Sequence, residues 1–212
     1  MSAPVVASVS PSAGPASGGT TVTVTGTGFT GVALVRFGGK PVTSYTVDSS
    51  TQITAVSPSG TGSVYVLVTT NQGTSIPQVL FTYVPAPSLT GLTPAQGPVS
   101  GGTTVTLTGT GFTGATAVSF GGVAATSFTV NSATQITAVT PPHTAGTAAV
   151  TVTAPGGTSN ALTFTYLGFP SVTGLSPTQG PVSGGTTVTL TGTGFTGATA
   201  VSFGGVAATS FT

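Results

Sequence analysis

The feature that most constrains the fold of this chain is an internal repeat with a period of 83 residues. The segment TGTGF occurs at positions 25–29, 108–112 and 191–195, TQIT at 51–54 and 134–137, and FTY at 81–83 and 164–166. The match goes beyond composition, because Gly97–Thr129 recurs without change as Gly180–Thr212. We therefore predict two complete units, residues 1–84 (unit 1) and 85–167 (unit 2), followed by the N-terminal half of a third, residues 168–212 (unit 3).

Within each unit, short runs rich in Val and Thr are separated by Gly, Pro, Asn and Ser. Their hydrophobic period of two residues predicts β-strands, and no stretch shows the period of an amphipathic helix. We predict seven strands in unit 1, at Val5–Val9, Thr20–Thr25, Leu34–Phe37, Val42–Val47, Gln52–Val56, Ser63–Thr69 and Val79–Tyr83. This spacing of short strands and turns predicts an all-β chain of tandem antiparallel β-sandwiches, two complete and one partial.

Several motifs of the repeat also resemble a known family. PSAGPASGGTTVTVTGTGF, followed by VRFGG, TQITAVSP and a closing FTY, is similar to the IPT/TIG domain, an immunoglobulin-like sandwich. The resemblance covers both complete units and all of unit 3. It implies the fold more closely than the function, because the family occurs in surface receptors, bacterial adhesins, some transcription factors and some polysaccharide-acting enzymes.

Charged residues are so rare that many functions are excluded. They make up 1% of the chain, and Arg36, Lys40 and Asp48 are the complete set. Acid–base catalysis needs a titratable group with a partner that tunes its pKa, and zinc or calcium sites need several Cys, His or carboxylate ligands. Binding to nucleic acid needs many Lys and Arg residues. We therefore predict a protein that is not an enzyme, has no cofactor or metal, and has no nucleic-acid partner.

The glycines of TGTGF resemble those of phosphate-binding loops. Such loops precede a helix whose N-terminus faces the phosphate, whereas this chain continues into another strand. We therefore predict a structural role, in which Gly26 and Gly28 allow a bulge or tight bend that directs Phe29 into the core. Gly38 and Gly39 are predicted to form a hairpin turn.

The single histidine, His143, lies in the proline-rich segment TPPHTAG. Unit 1 has Gly60 at the aligned position. A lone histidine in a loop is more often a solvated side chain than a ligand or a base. We therefore expect His143 to be a solvated loop residue.

The two complete units differ systematically on three strands. Because successive side chains of a strand point to opposite faces, we expect Val35 and Phe37 to point inward. Five outward positions are larger, more apolar or charged in unit 1: Leu34, Arg36, Tyr65, Leu67 and Leu80, where unit 2 has Ala117, Ser119, Ala149, Thr151 and Thr163. The three strands share one sheet in an immunoglobulin-like sandwich.

An exposed apolar patch with a Tyr and an Arg is typical of a protein–protein contact. Single exposed apolar residues are common on any surface, but here all five differences go the same way on one sheet. We predict that unit 1 docks through this face, either on another copy of the chain or on a host component.

The leading functional hypothesis is a non-enzymatic structural or adhesive protein, or a fibre subunit, of a bacterial or phage surface. Short proline-containing linkers, Val84–Pro87 and Leu167–Pro170, would align the units as a semi-rigid spacer. The alternatives are a carbohydrate-binding accessory module of a secreted enzyme, with Tyr65 as a stacking platform, and a phage tail or capsid decoration protein. The expected partner is a protein, through self-association or tandem assembly, or a glycan.

The expected location is extracellular or at the cell surface, with a phage particle as the alternative. The N-terminal sequence lacks the basic and apolar segments of a signal peptide. No stretch approaches the roughly 18 apolar residues of a membrane-spanning helix, so we predict no membrane insertion. The chain has no cysteine, which leaves the redox compartment open.

Unit 3 contains counterparts of only the first four strands. Without the later strands it would expose sheet edges and one face of a core. We expect it either to belong to a longer tandem array or to be completed by a partner that donates strands. The N-terminal strand of a second copy, VVASVSP, does not correspond to the missing strands.

Overall fold

The computed structural model describes residues 2–212, where every regular element is a β-strand. Unit 1 contains β1 (Val5–Ser10), β2 (Ala13–Pro15), β3 (Thr21–Thr27), β4 (Val32–Phe37), β5 (Lys40–Pro41), β6 (Ser44–Ser49), β7 (Gln52–Val56), β8 (Gly62–Thr70), β9 (Gly73–Thr74) and β10 (Leu80–Val84). One sheet has the order β1-β3-β7-β6, and the other has the order β2-β10-β8-β4-β5 with β9 paired to β8. Neighbouring strands are antiparallel except for β2, which is parallel to β10.

The core of unit 1 lies between the two sheets. Alternate residues of facing strands form one buried cluster: Val6, Val9, Val22, Val24, Ile53 and Ala55 from the first sheet, and Val35, Phe37, Val66, Val68, Phe81 and Tyr83 from the second. Phe37, Phe81 and Tyr83 pack edge to face, with ring centroids 5.0 and 5.1 Å apart. The predicted all-β sandwich with a period of two residues is thus confirmed.

The TGTGF segment has the structural role predicted from its glycines. Gly28 has a φ of +74°, a region that side chains rarely adopt. A Cβ on Gly26 would overlap the carbonyl oxygen of Val5 and lie 2.6 Å from the Phe29 ring. Phe29 is 1% exposed. The chain then enters β4, so no helix N-terminus is present here to bind a phosphate.

One predicted strand of unit 1, Val42–Val47, is wrong. The structure has two shorter strands there, β5 and β6, and they belong to different sheets. Because the chain crosses from one sheet to the other between Pro41 and Ser44, a single strand cannot span the segment. The predicted hairpin turn at Gly38 and Gly39 is confirmed, since it joins β4 to β5.

Unit 2 repeats this topology. Its strands are β11 (Ser88–Thr93), β12 (Gln96–Pro98), β13 (Thr104–Thr110), β14 (Ala117–Phe120), β15 (Val123–Ala124), β16 (Ser127–Ser132), β17 (Gln135–Val139), β18 (Gly146–Ala154), β19 (Gly157–Thr158) and β20 (Leu162–Leu167). The sheet orders are β11-β13-β17-β16 and β12-β20-β18-β14-β15, with β19 paired to β18. The chain therefore contains two sandwiches of the same design, each with its own core.

Unit 3 forms two separate strand pairs. β21 (Ser171–Ser176) pairs with β22 (Thr189–Thr193), and β23 (Ser202–Phe203) pairs with β24 (Val206–Ala207). None of residues 168–212 is buried. Phe203 is 48% exposed, whereas its unit 2 counterpart Phe120 is fully buried. As expected, unit 3 therefore exposes side chains that face the core in a complete unit.

Candidate protein-contact face

The three strands that carry the predicted contact residues are direct neighbours, in the order β10-β8-β4. Among their inward side chains, Val35, Phe37 and Val66 are at most 2% exposed. The alternation predicted for these strands is thus confirmed. The predicted contact residues occupy the positions between the buried ones, on the opposite surface of the same sheet.

Strand register brings the five residues together, and we call this set, Leu34, Arg36, Tyr65, Leu67 and Leu80, the unit 1 face. Leu80 lies directly opposite Tyr65, and Arg36 lies directly opposite Leu67. Tyr65 and Leu67 follow each other on one side of β8, so the two cross-strand pairs adjoin. Tyr65 and Leu80 are each 45% exposed, and the other three are half-buried.

Unit 2 provides an internal comparison for this face. The equivalent cross-strand pairs are Ala149 with Thr163 and Ser119 with Thr151. The hydroxyl oxygens of Ser119 and Thr151 are 3.0 Å apart and form a hydrogen bond. The same backbone arrangement therefore forms with small side chains, so the larger residues of unit 1 are not required by the fold.

Charge on the unit 1 face comes from Arg36 alone. Arg36 lies between Leu67 on β8 and Pro41 on β5. Its Nε atom is buried and has no hydrogen-bond partner among residues 2–212. The other basic residue, Lys40, lies opposite the inward-facing Phe37 and donates from Nζ to the carbonyl oxygen of Ser59 at 3.0 Å, away from this face. The sequence did not indicate these different orientations of Arg36 and Lys40.

His143 does not occupy the solvated position expected from its loop. Its ring is half-buried and stacks on Tyr166, with centroids 4.8 Å apart and planes 18° apart. In unit 1, Gly60 lies against the corresponding ring, Tyr83, and has no room for a Cβ. The expectation for His143 was wrong because Tyr166 lies 23 residues away in sequence, and only the fold brings the two rings together.

The buried phenols of the two units differ in their hydrogen bonds. The Tyr166 hydroxyl donates to the carbonyl oxygen of Pro141 at 3.0 Å, whereas the Tyr83 hydroxyl has no partner in the described part of the chain. Burial raises the pKa of both phenols, and for Tyr166 a hydrogen bond with Thr140 partly opposes this rise. Both side chains therefore remain neutral around pH 7.

We expect the same substitution to have different effects at these two positions. Tyr166→Phe should lower the free energy of unfolding of unit 2 by about 1 kcal/mol, because it leaves the buried Pro141 carbonyl without its donor. Tyr83→Phe should leave unit 1 unchanged or slightly stabilised, because it removes a buried hydroxyl that has no partner. Urea unfolding followed by hydrogen exchange in each unit measures both effects. Equal destabilisation by the two substitutions would contradict this account.

Asn160 has a structural role that the sequence did not reveal. It lies between β19 and β20, and its side chain accepts from the Leu89 amide at 2.9 Å and donates to the Leu89 carbonyl at 3.0 Å. Because Leu89 is in β11, these bonds join the two sheets of unit 2. Ile76, at the aligned position of unit 1, is 70% exposed.

Replacing Asn160 with alanine is expected to destabilise unit 2 by about 1 kcal/mol, a typical net loss for hydrogen bonds that are partly accessible to water. Hydrogen exchange of the Leu89 amide should accelerate by a larger factor than that of the other β11 amides. Ile76→Ala in unit 1 is the matched control and should leave exchange in β1 unchanged. Unchanged exchange at Leu89 in the Asn160 variant would refute the role of this side chain.

Two further features of residues 2–212 bear on the site. They contain no group of three or more His, Cys, Asp or Glu side chains that could hold a metal ion. No helix with the length and apolarity needed to cross a membrane occurs in this part of the chain.

The chain is similar in sequence to fibrocystin-L from two mammals. Human fibrocystin-L is 31% identical over 204 residues, and mouse fibrocystin-L is 32% identical over 203 residues. Each alignment covers 92% of this chain and 5% of the relative, so the chain spans about 5% of the length of these proteins.

Solved structures with detectable similarity include the Plexin A4 full extracellular region, domains 1 to 10. It is 24% identical, with a TM-score of 0.49 over 82% of this chain and 16% of that one. SGBP-B from a xyloglucan utilization locus in Bacteroides uniformis is 23% identical, with a TM-score of 0.36 over 77% of this chain and 49% of that one.

The decisive comparison is with protein families. The IPT/TIG domain matches residues 4–83, 87–166 and 170–212. These three segments contain the TGTGF motifs and nearly all of the strands described above. The chain therefore belongs to the IPT/TIG domain family.

Proposed function

We propose that this protein is a non-enzymatic structural or adhesive protein, located outside the cell or on the surface of a cell or phage particle. In this proposal the tandem units hold the unit 1 face at a distance from an attachment point, and the unit 1 face binds a protein partner. The observation that supports it best is that five outward side chains on three neighbouring strands are larger, more apolar or charged in unit 1 than at the equivalent positions of unit 2.

The composition of the face supports a protein contact. Tyr and Arg are enriched among the residues that contribute most to protein–protein binding, and here they adjoin three leucines. The spacer role is supported by the proline-containing linkers, Val84–Pro87 and Leu167–Pro170, which bend less than Gly/Ser tethers. The proposed location is supported by the occurrence of IPT/TIG domains in surface receptors and bacterial adhesins. Members that are transcription factors need basic residues for DNA, and this chain has only two.

The experiment compares the chain with a variant whose unit 1 face carries the residues of unit 2. This unit-2-like variant combines Leu34→Ala, Arg36→Ser, Tyr65→Ala, Leu67→Thr and Leu80→Thr. We expect it to fold, because unit 2 forms the same sheet with these residues. A displayed random-peptide library is selected on the immobilised chain, and each recovered peptide is then tested on the variant.

The expected result is a set of peptides that bind the chain and do not bind the unit-2-like variant. Hydrogen exchange in β4, β8 and β10 serves as the folding control, and it should be similar in the two proteins. Peptides that bind both proteins equally, or a selection that recovers no binder, would contradict the proposed contact face.

A second candidate function, glycan binding by an accessory module, has one observation in its favour. Tyr65 is 45% exposed in the middle of the face, where its ring is accessible to a sugar. Glycan sites normally combine aromatic rings with several polar groups, whereas the neighbours of Tyr65 on this face are mainly leucines. Binding to a glycan array that is lost on Tyr65→Ala would favour this function over the first.

A further inference from the structure

We propose that the partner of the unit 1 face is a protein segment that presents a carboxylate within an apolar surface, and that Arg36 binds this carboxylate. This inference rests on the proposed function and specifies the chemistry of the partner. It is carried by the surroundings of Arg36 and by the distribution of charge in the chain.

Arg36 is a charged residue in a half-buried position. Its side chain projects from β4, between Leu67 on β8 and Pro41 on the edge strand β5, and its Nε atom is buried without an acceptor. A buried N–H without a partner is unfavourable, and partial burial of a charge adds to that cost unless an opposite charge is nearby. Unit 2 avoids both costs with the Ser119–Thr151 hydrogen bond at the same position.

The chain itself offers no carboxylate side chain to Arg36. Its only acidic residue is Asp48, whose carboxylate accepts from Thr54 at 2.8 Å and from Gln52 at 3.2 Å. Asp48 lies on β6, in the sheet on the other side of the sandwich. Arg36 is therefore not neutralised within its own unit.

Charge also argues against a second copy as the occupant of this face. Two copies that met through their unit 1 faces would bring two Arg36 side chains together with no acidic side chain between them. A like-charge contact in a partly desolvated interface is unfavourable. An acidic partner instead supplies the charge and the acceptor atoms that the face lacks.

The geometry of guanidinium binding specifies the acidic group. Because the Nε atom is enclosed by the chain, a docked partner reaches the two terminal Nη groups, and a carboxylate can accept two parallel hydrogen bonds from them. The surrounding Leu34, Leu67 and Leu80 would contact apolar side chains that flank the acid. An aspartate or glutamate between apolar residues meets both requirements, whereas a polyanion such as nucleic acid needs many more basic residues.

The test uses peptides recovered from the displayed library on the immobilised chain. We expect Asp or Glu flanked by aliphatic or aromatic residues in most of the peptides that distinguish the chain from the unit-2-like variant. Arg36→Ser should lower the affinity of the chain for a synthetic peptide of this kind by about tenfold or more, since it removes a charge-assisted hydrogen bond from a partly desolvated contact. Changing the acid of the peptide to its amide should have a similar effect.

Two further variants separate this interaction from general effects of charge. Lys40→Ser changes the net charge by the same amount, but Lys40 bonds to Ser59 away from the face, so we expect little effect on affinity. Arg36→Lys keeps the charge and loses the planar pair of terminal donors, and it should weaken binding nearly as much as Arg36→Ser.

The inference and the proposed function can fail separately. One outcome would overturn the inference and leave the contact face intact. In it, the selected peptides lack acidic residues, need Tyr65 and Leu80 for binding, and bind the Arg36→Ser variant as tightly as the original chain. Self-association of the chain in sedimentation velocity that is lost in the unit-2-like variant would also overturn it, because the occupant would be a second copy. Specific binding of a uronic-acid polysaccharide through Arg36, without acidic peptides, would replace the protein partner by a glycan.

Discussion

Replacing Phe112 with alanine is expected to lower the free energy of unfolding of unit 2 by about 3–5 kcal/mol, the usual cost of removing a fully buried phenylalanine. Phe112 is 0% exposed, and its backbone amide donates to the carbonyl oxygen of Ala133 at 3.0 Å. The loss is a large part of the roughly 5–15 kcal/mol that stabilises a typical domain. Unit 2 should therefore unfold at a much lower urea concentration than unit 1.

Hydrogen exchange during urea unfolding, resolved by peptide fragment, measures this effect for each unit. Phe169→Ala is the control, because Phe169 is 72% exposed and its removal should cost little. The expected result is early loss of protection in β13 and β17 with β3 and β7 unchanged. Unchanged protection in unit 2 would show that the TGTGF phenylalanine does not support the core.

The second large effect is expected at a glycine of the same motif. Gly26→Ala should destabilise unit 1 by about 3 kcal/mol, the upper part of the range for overpacking a core. The added Cβ would overlap the Val5 carbonyl and press on the Phe29 ring, so β1 must separate from β3 or the ring must leave its site. Thermal unfolding of the chain should show the loss as an earlier transition of unit 1.

Gly39→Ala provides the matched control for this substitution. A Cβ at Gly39 meets nothing within 4 Å, and Gly39 does not have a positive φ. We expect a change of less than about 0.5 kcal/mol, as for a typical surface position. Equal effects at Gly26 and Gly39 would show that backbone entropy, rather than close packing, decides the cost.

The parts of the fold that follow from strand geometry could be predicted from the sequence. Val35 and Phe37 are buried and alternate with the outward Leu34 and Arg36 because a strand turns successive side chains to opposite faces. The presence of Tyr65 and Leu80 on one face follows from the shared sheet that the immunoglobulin-like order predicts, whereas their direct pairing is known only from the structure. The residues of the unit 1 face were therefore identifiable by comparing two copies of one pattern.

Contacts between distant segments could not be predicted in this way. β2 is three residues long, includes Pro15 and pairs in parallel with β10. It therefore lacks the length and the alternating pattern by which a strand is recognised in a sequence. The crossing between sheets after Pro41 interrupts a run that reads as one strand. The bonds of Asn160 to Leu89 and the stacking of His143 on Tyr166 depend on how loops fold back onto other strands.

The most direct test of the central claim transfers the unit 1 face to unit 2. The variant carries Ala117→Leu, Ser119→Arg, Ala149→Tyr, Thr151→Leu and Thr163→Leu, with hydrogen exchange in β14, β18 and β20 as the folding control. Isothermal titration with an acidic peptide selected on the original chain gives the number of peptides bound per chain. We predict that each molecule of the variant binds two peptides and that each molecule of the original chain binds one. A folded variant that still binds one peptide would contradict the claim that these five side chains form the contact site.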